Sequence, residues 1–347
     1  MTSDDELIKR KQEHLDLCAS DAVAFRKTTT GYEHYSFLHY ALSEVNIDEI
    51  DLSFNFFGKV IALPFYISCM TGGTDETVNI NLKLARVAKE LNVPLGLGSQ
   101  RYALDSERFN SHFDLIREAS GEVPLIGNIG AAQVVEAGII KKLSALITNS
   151  HINALTVHLN PAQELFQKGG ETNFKGLLTA IASLKKELGI PIIVKEVGSG
   201  IDEKVADELL WTGVDMIDVA GAGGTSWSGV EILRNGGDNQ HDFWDWGMPT
   251  TYCIRKVNAL RASYNFLLTA SGGINSGMDI AKSLALGADL TASARKILRE
   301  LHENGEPGVV KMVYDWFETV KKVMFLTGSQ TIEELKMDKI VKKQDMF

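Results

Sequence analysis

The sequence predicts an α/β fold: a (β/α)8 TIM barrel with an N-terminal extension and a C-terminal helical segment. Two observations predict it. Short apolar segments recur eight times along the chain, and segments with helical periodicity lie between them. Strands that alternate with helices form a parallel sheet with right-handed crossovers, and eight such units close into a barrel. A doubly wound open sheet is the structural alternative, but the count of eight favours the barrel.

The predicted strands are short and almost wholly apolar, as expected of parallel strands that are buried on both faces. The first four begin at a constant spacing along the chain, and most of the eight end in a polar residue or glycine. The strands are predicted over residues 64–68, 94–98, 124–128, 154–158, 191–195, 216–219, 266–270 and 290–293.

The segments between the strands carry the apolar stripe of an amphipathic helix. The spacing predicts helices over residues 79–91, 179–188 and 279–286. A helix-stop residue comes shortly before a strand proline, as in Leu91-Asn-Val-Pro94. A helix stop, a short loop and a new strand form the connection that a parallel barrel requires.

Three parts of the chain differ from this repeat. Residues 1–63 form an N-terminal extension that we expect to cover the mouth of the barrel, and the barrel itself occupies residues 64–306. Residues 221–250 form a long Gly-, Asp- and Trp-rich loop after strand six, which is a candidate lid. Residues 307–347 are predicted to be a helical, Lys- and Glu-rich segment.

The composition excludes several classes of protein. The chain has 347 residues, with 35 Lys and Arg against 45 Asp and Glu and a formal net charge of −10. This negative charge argues against nucleic acid or an anionic membrane as the partner. Cys18, Cys69 and Cys253 are too few and too far apart for a disulfide framework. With no signal peptide and no apolar run of about 20 residues, a cytoplasmic, soluble protein is expected.

Polar residues or glycines lie at the carboxyl end of every predicted strand or directly after it. In a (β/α)8 barrel the carboxyl ends of the strands meet at one face, where the active site lies. Eight polar ends therefore predict one polar ring around a site. The residues at these ends are Thr71-Gly-Gly73, Ser99-Gln-Arg101, Asn128, His158 with Asn160, Lys195-Glu196, Asp218, Ser271-Gly-Gly273 and Ser293-Ala-Arg295.

Two loops predict a phosphate site. The glycine-rich residues 271–277 lead into one helix, and Ala294-Arg295 leads into another. Backbone N–H groups of such loops, together with a helix N-terminus, form the phosphate cradle of many barrels. The phosphate would most often belong to FMN or a sugar phosphate. A tight turn without a ligand is the alternative.

Lys195 ends an apolar strand, which would place its ammonium group in the barrel mouth, where an unpaired charge is costly. Three roles are open for it. Lys195 could pair with Glu196 or Asp218, or it could form a Schiff base as in aldolases. It could also donate to the N1/O2 edge of a reduced flavin, where negative charge gathers.

Two further groups are candidates on spacing alone. Glu164, after strand four, could hold Mg2+ bound to a diphosphate, or it could simply favour a helix N-terminus. Arg10 and His14 lie four residues apart on a predicted helix, which is usually the sign of a solvated face. A substrate role for them requires this helix to fold over the barrel mouth.

These motifs resemble those of the type 2, flavin-dependent isopentenyl-diphosphate isomerases. The most specific matches are the start Arg10-Lys-Gln-Glu-His14, the Met70-Thr-Gly-Gly73 loop and the Gln163-Glu164 pair. Further matching segments lie at residues 64–67, 98–101, 128–133, 158–164, 173–176, 195–198, 218–227, 272–274 and 284–288.

The resemblance implies interconversion of isopentenyl diphosphate and dimethylallyl diphosphate with no net redox change. It implies reduced FMN as acid and base, NADPH or NADH as the reductant, and Mg2+. An unactivated alkene is a very weak base, so a carbocation-like transition state benefits from an electron-rich flavin. The resemblance also implies a homo-oligomer, either a tetramer or an octamer.

The resemblance further assigns residues to the site. Lys195, His158 and Gln163 are implied as catalytic, with Gln163 and the flavin both candidates for taking the second proton. Glu164 matches the metal ligand. The implied FMN contacts are Cys69, Met70, Thr71, Ser99, Asn128, Lys195, Thr225, Gly273, Ile274, Asn275, Ala294 and Arg295. The implied substrate contacts are Arg10, Lys11, His14, Ser99, Gln100, Arg101, His158, Asn160 and Gln163.

Two positions depart from the family pattern. Glu171 follows Gly169-Gly170 where the family often has an acid directly after one glycine. It either replaces that acid one position on or marks a less constrained loop. Ala292 stands where glycine is common, and its methyl group is expected to narrow the phosphate cradle slightly.

Three other functions compete with this one. A flavin-dependent 2-hydroxy-acid oxidase would need a His base with a nearby Arg after strand six, and residues 220–228 contain neither. A Lys195 Schiff-base aldolase would be trapped by borohydride in the presence of substrate. A catalytically dead oligomeric scaffold would fail to bind flavin.

Overall fold

The computed structural model describes residues 3–104 and 109–347 and confirms the closed barrel. Eight parallel strands each pair with the next along the chain, and the last pairs with the first. The strands are β1 (Tyr35–Phe37), β2 (Phe54–Phe56), β3 (Lys59–Ile61), β4 (Phe65–Ile67), β5 (Leu95–Gly96), β6 (Leu125–Gly130), β7 (Ala154–Leu159), β8 (Ile192–Glu196), β9 (Met216–Asp218), β10 (Leu267–Ala270), β11 (Leu290–Ser293) and β12 (Ile340–Lys342). The barrel consists of β4 to β11, and each of its strands lies within a predicted strand or overlaps one.

Helices follow the barrel strands and surround them. The helices are α1 (Ser3–Cys18), α2 (Asp75–Leu91), α3 (Asn110–Ser120), α4 (Ala131–Val134), α5 (Ile139–Ser150), α6 (Pro161–Phe166), α7 (Leu177–Glu187), α8 (Glu203–Trp211), α9 (Trp227–Arg234), α10 (Thr250–Asn258), α11 (Gly277–Ala285), α12 (Arg295–Thr327) and α13 (Ile332–Leu335). Across the described ranges, no helix combines the length and apolar character needed to span a membrane.

Local signals explain where these helices begin and end. The Thr74 side chain accepts a hydrogen bond from the N–H of Thr77, and the Thr77 side chain accepts one from Thr74, which forms a capping box at the start of α2. Asn92 then takes the left-handed conformation with φ 48°, which ends α2 shortly before the proline of the next strand.

The barrel interior is a packed apolar core below the predicted polar ring. Tyr66, Ile126, Ile193 and Met216 are buried in one cluster within it. Phe56, from the β2–β3 hairpin that directly precedes β4, packs into the same cluster. The hairpin therefore closes the amino-terminal end of the barrel, and the carboxyl end is left for the site.

Two segments outside the repeat contain structure that the sequence pattern did not predict. The long loop after strand six contains α9, which lies within residues 221–250. The C-terminal segment is not wholly helical, because β12 pairs antiparallel with β1 of the N-terminal extension. A backbone break at Gly305, with φ 68°, divides α12.

Candidate active site

A large cavity opens at the carboxyl ends of the barrel strands. Its volume is about 1270 Å³, which exceeds the roughly 300–1,000 Å³ typical of a single small-molecule site. Of the residues that the resemblance assigns to catalysis, FMN, substrate or metal, all except Gln100 line this cavity. Among the other polar strand ends, Gly73, Glu196 and Asp218 do not line it. The cavity therefore has room for a cofactor together with a second small ligand.

Close backbone packing shapes the wall next to the first two strands. A Cβ atom at Gly98 would lie 2.1 Å from the carbonyl carbon of Thr71. Only glycine therefore allows the β5 end to lie against the segment that carries Cys69, Met70 and Thr71. This contact places Ser99 and Thr71 on the same wall of the cavity.

One region of the cavity has the features of an anion site. The helix α12 begins at Arg295 with no side-chain cap, so its first N–H groups lack helical partners. Nη1 of the largely buried Arg295 guanidinium also has no hydrogen-bond partner, and burial lowers its pKa. Gly273 lies nearby in the left-handed conformation, where a Cβ would lie 2.4 Å from Cγ2 of Thr30. These unpartnered donors fit a phosphate group.

Lys195 is buried in the floor of the cavity. Its Nζ atom donates to the backbone oxygen of Glu196 at 2.7 Å. The Glu196 carboxylate instead accepts the N–H groups of Val197 and Gly198, each at 2.6 Å. The acidic neighbour across the sheet is Asp218, which is in register with Lys195 on β9. The Lys195 charge opposes the desolvation that raises the pKa of both Glu196 and Asp218, so both carboxylates that the sequence left open remain its electrostatic partners.

His158 is held as a neutral imidazole. Its Nδ1 atom lies 2.8 Å from Oδ1 of Asn128, and because a carbonyl oxygen can only accept, Nδ1 carries the proton. Burial, with a smaller contribution from the charge of Lys195, lowers the pKa of His158 to about 3. At neutral pH the Nε2 lone pair is therefore free to accept a hydrogen bond from a ligand.

This low pKa leads to a testable pH dependence. The folded pKa of about 3 lies below the ordinary value of 6.5, so the unfolded chain binds more protons between these two values. We expect the free energy of unfolding to fall as the pH decreases from about 6.5 towards 3. NMR titration of the His158 ring should find it uncharged at pH 5, and His158→Gln should flatten the pH dependence. A ring that titrates near pH 6.5 would contradict this assignment.

Glu164 lies at the start of α6 in a network of hydrogen bonds. Its carboxylate accepts from Nδ2 of Asn160 at 2.9 Å and from the backbone N–H of Glu171 at 2.8 Å. The Glu171 carboxylate in turn accepts from Arg101 and from Gln133, each at 2.5 Å. Glu171, which departs from the family pattern, therefore places an acid within this network, and the network orders the loop that contains it.

The helix α1 contributes its basic face to the cavity. Arg10, Lys11 and His14 all line it. Burial and the charge of Arg10 lower the pKa of Lys11 to about 8, and its Nζ lies 4.7 Å from the centre of the Tyr102 ring. His14 Nε2 lies 2.7 Å from Oε1 of Glu231 on α9. The predicted helix with Arg10 and His14 on one face is therefore turned towards the barrel rather than solvated.

Gln100 is the one predicted ligand that the structure does not bring to the cavity. Its side chain is fully buried, and Oε1 accepts from the backbone N–H of Asn128 at 3.1 Å. It packs against Gly127, where a Cβ would lie 2.7 Å from the same oxygen. Gln100 therefore positions Asn128 from below instead of lining the site.

Several residues of the site were missed from the sequence. Arg234 bridges Glu231 at 2.5 Å and Glu13 at 2.9 Å, which ties α9 to α1. Gln133 lines the cavity beside Glu171. Only the i, i+3 spacing of Glu231 and Arg234 could have marked that pair, and such spacing is common on helices.

Comparisons with known proteins agree with this architecture. A family model described as FMN-dependent dehydrogenase matches residues 4–106 and 143–342. A mutant of flavocytochrome b2 superposes with a TM-score of 0.71 over 96% of this chain and 82% of that one, at 21% identity. Lactate oxidase from Pediococcus acidilactici gives 0.67 over 99% and 95%, at 16% identity. At these identities the structural likeness shows the fold alone, and the family model defines the class as FMN-dependent.

Curated relatives narrow this class. The isopentenyl-diphosphate delta-isomerase of Pelodictyon phaeoclathratiforme is 40% identical over 99% of both chains. The enzymes of the same name from Chlorobium phaeovibrioides and Vibrio parahaemolyticus are 42% and 41% identical, over 97% and 94% of this chain and 97% and 96% of theirs. The chain therefore belongs to the FMN-dependent dehydrogenase family and, within it, to the isopentenyl-diphosphate delta-isomerases.

Proposed function

We propose that this protein interconverts isopentenyl diphosphate and dimethylallyl diphosphate, using reduced FMN as acid and base with no net redox change. The observation that carries the proposal is the presence of two cationic groups in one cavity, contributed by two different helices. Arg295 lies at the start of α12, and Arg10 and Lys11 lie on α1. One group fits the phosphate of a cofactor, and the other fits the diphosphate of a substrate.

The residues present fit FMN. The unpartnered Nη1 of Arg295 and the uncapped start of α12 provide donors for its phosphate, together with Gly273, Ile274, Asn275 and Ala294. Cys69, Met70, Thr71, Ser99, Asn128 and Thr225 would hold the rest of the molecule. When bound in its reduced form, FMN supplies an electron-rich ring and an exchangeable proton. Reduction requires an electron donor, which we assign to NADPH or NADH.

The chain's own side chains supply charge and polarity around this chemistry. Lys195 provides a buried ammonium that would hold the negative charge of a reduced ring. His158, neutral and fixed by Asn128, leaves Nε2 able to accept a hydrogen bond from a ligand. Gln163 lines the cavity and lies within 3.2 Å of Asn160 Nδ2. We assign these three residues to catalysis and Asn160 to holding the substrate.

The diphosphate is assigned to the basic residues around α1. Arg10, Lys11 and His14 approach the cavity from that helix, and Ser99 and Arg101 approach from the end of β5. Lys11 would gain from a bound anion, because the negative charge of a diphosphate would raise the pKa that burial lowers. Within the extension of residues 1–63, we assign α1 to covering the mouth; the prediction that the whole extension does so is wrong for the β2–β3 hairpin, which closes the opposite end of the barrel. We assign residues 64–306 to the barrel, 221–250 to its lid and 307–347 to a C-terminal segment.

Glu164 is the proposed ligand of Mg2+. Within the described residues, no group of three His, Cys, Asp or Glu side chains could form a protein-only metal site. Mg2+ commonly takes one or two carboxylates and completes its shell with water and substrate phosphates. A single carboxylate near the basic diphosphate site fits this pattern. By family resemblance we also propose a cytoplasmic homo-oligomer of four or eight chains.

An anaerobic assay tests the proposed function. The protein is incubated with FMN, NADPH, Mg2+ and isopentenyl diphosphate, and the products are identified by NMR. We expect dimethylallyl diphosphate to form with turnover far exceeding consumption of NADPH. Omitting either NADPH or FMN should abolish the reaction, and heat-denatured protein is the control. No isomerisation by protein that binds FMN would refute the proposal, as would one NADPH consumed per product.

A further inference from the structure

A buried polar network lies beneath Lys195, inside the apolar core of the barrel. Asp218 is fully buried, and its carboxylate accepts hydrogen bonds from the Tyr66 hydroxyl and from Ser271 Oγ, the latter at 2.6 Å. The backbone N–H of Ala220 donates to it at 3.2 Å. Ser271 and Ala220 line the cavity, whereas Tyr66 and Asp218 do not, so the Asp218 carboxylate lies directly behind the cavity floor.

The surroundings of Asp218 explain why such a group needs support. A buried carboxylate loses its hydration, and this desolvation raises the pKa of Asp218. The groups that oppose it are the Lys195 charge, the Ser271 and Tyr66 hydroxyls and the Ala220 N–H. The remaining titratable neighbour is Cys69, whose own pKa burial raises to about 11, so it is neutral at pH 7.

Tyr66 occupies an unusual place for a polar group. Its ring belongs to the apolar cluster that fills the barrel, and it is 2% exposed. A phenylalanine would fill the same space. The hydroxyl is therefore explained by its hydrogen bond to Asp218. Asp218 is distant from Tyr66 in the sequence, but the two side chains meet inside the barrel.

We propose that Tyr66 is a positioning residue that keeps Asp218 ionised as a counter-charge of Lys195, and thereby limits how strongly Lys195 favours reduced over oxidised FMN. The inference rests on the proposed use of FMN. A buried ammonium attracts an anionic reduced ring, and each ionised carboxylate beside the ammonium offsets part of that attraction. The network would therefore set the balance between the two states of the cofactor.

The test combines one measurement without flavin and one with it. In apoprotein labelled with 13C-aspartate, infrared difference spectra at pH 7 should show ionised Asp218 in the native protein. The Tyr66→Phe variant should show a protonated carboxyl band that is absent from the Tyr66→Phe/Asp218→Asn double variant. Asp218 that remains equally ionised in Tyr66→Phe would overturn the proposal.

The second measurement compares the affinities for reduced and oxidised FMN. In Asp218→Asn, the ratio of the affinity for reduced FMN to the affinity for oxidised FMN should increase about tenfold. This corresponds to a shift of ~30 mV in the reduction potential of a two-electron couple. Tyr66→Phe should shift it in the same direction. Tyr32→Phe, which removes another buried hydroxyl hydrogen-bonded to Ser283, is the control and should not change it. An unchanged ratio in Asp218→Asn would overturn the proposal.

Failure of the native protein to bind FMN would refute the proposed function, and the infrared result would still decide the role of Tyr66.

Discussion

Replacing Lys195 with methionine should lower the rate of isomerisation by about 10²–10³, as expected when one buried group that stabilises developing charge is removed. Methionine keeps much of the length of the side chain but has no ammonium. The apolar part of β8 is unchanged, so the barrel should still fold. The loss should also weaken the binding of reduced FMN more than that of oxidised FMN, because only the reduced ring gains negative charge.

Two measurements separate this result from general damage. Turnover is measured at saturating substrate and Mg2+, and the affinity for each form of FMN is measured by fluorescence quenching under anaerobic conditions. Lys282→Met is the matched control, because Lys282 Nζ donates to the backbone oxygen of Tyr32 away from the cavity. Its turnover should remain within about twofold of the native value. Full activity in Lys195→Met would remove Lys195 from the mechanism.

The barrel could be predicted from the sequence because its signals are local and repeated. A strand buried on both faces is an apolar run wherever it lies, and eight runs that alternate with helices leave few topologies. The strand ends then bring polar residues together without further information. This is why Thr71, Asn128, His158 and Lys195 could be placed in one cavity from their positions alone.

The parts that could not be predicted depend on contacts between distant segments. Gln100 matches a family motif, but its side chain turns inward because Gly127 leaves space for it. From the sequence alone, Tyr66 is interpreted as an ordinary core residue, because the group that accepts a hydrogen bond from its hydroxyl lies on another strand. Pairing between β1 and β12 joins the two ends of the chain. None of these contacts leaves a periodic signal in the sequence.

Removing the Glu231 carboxylate should release α1 from the mouth of the barrel. The Glu231 side chain is fully buried and lies between His14 at 2.7 Å and Arg234 at 2.5 Å. In Glu231→Ala, both partners lose their acceptor, and Arg10 loses an attractive charge. Breaking one side of a buried ion pair costs about 3–5 kcal/mol. We therefore expect faster hydrogen exchange in residues 9–18 and a KM for the diphosphate substrate raised by about 10² or more.

Glu13→Gln provides the matched control, because Glu13 also pairs with Arg234 but is partly exposed to solvent. An exposed ion pair contributes about 0–1 kcal/mol, so this variant should shift KM less than about fivefold. Comparing the two variants separates the effect of a buried carboxylate from the effect of losing any negative charge beside Arg234. If both variants kept the native KM and the native protection of α1 from hydrogen exchange, α1 would be held by its apolar contacts. If hydrogen exchange increased while KM stayed the same, α1 would be excluded from recognition of the diphosphate.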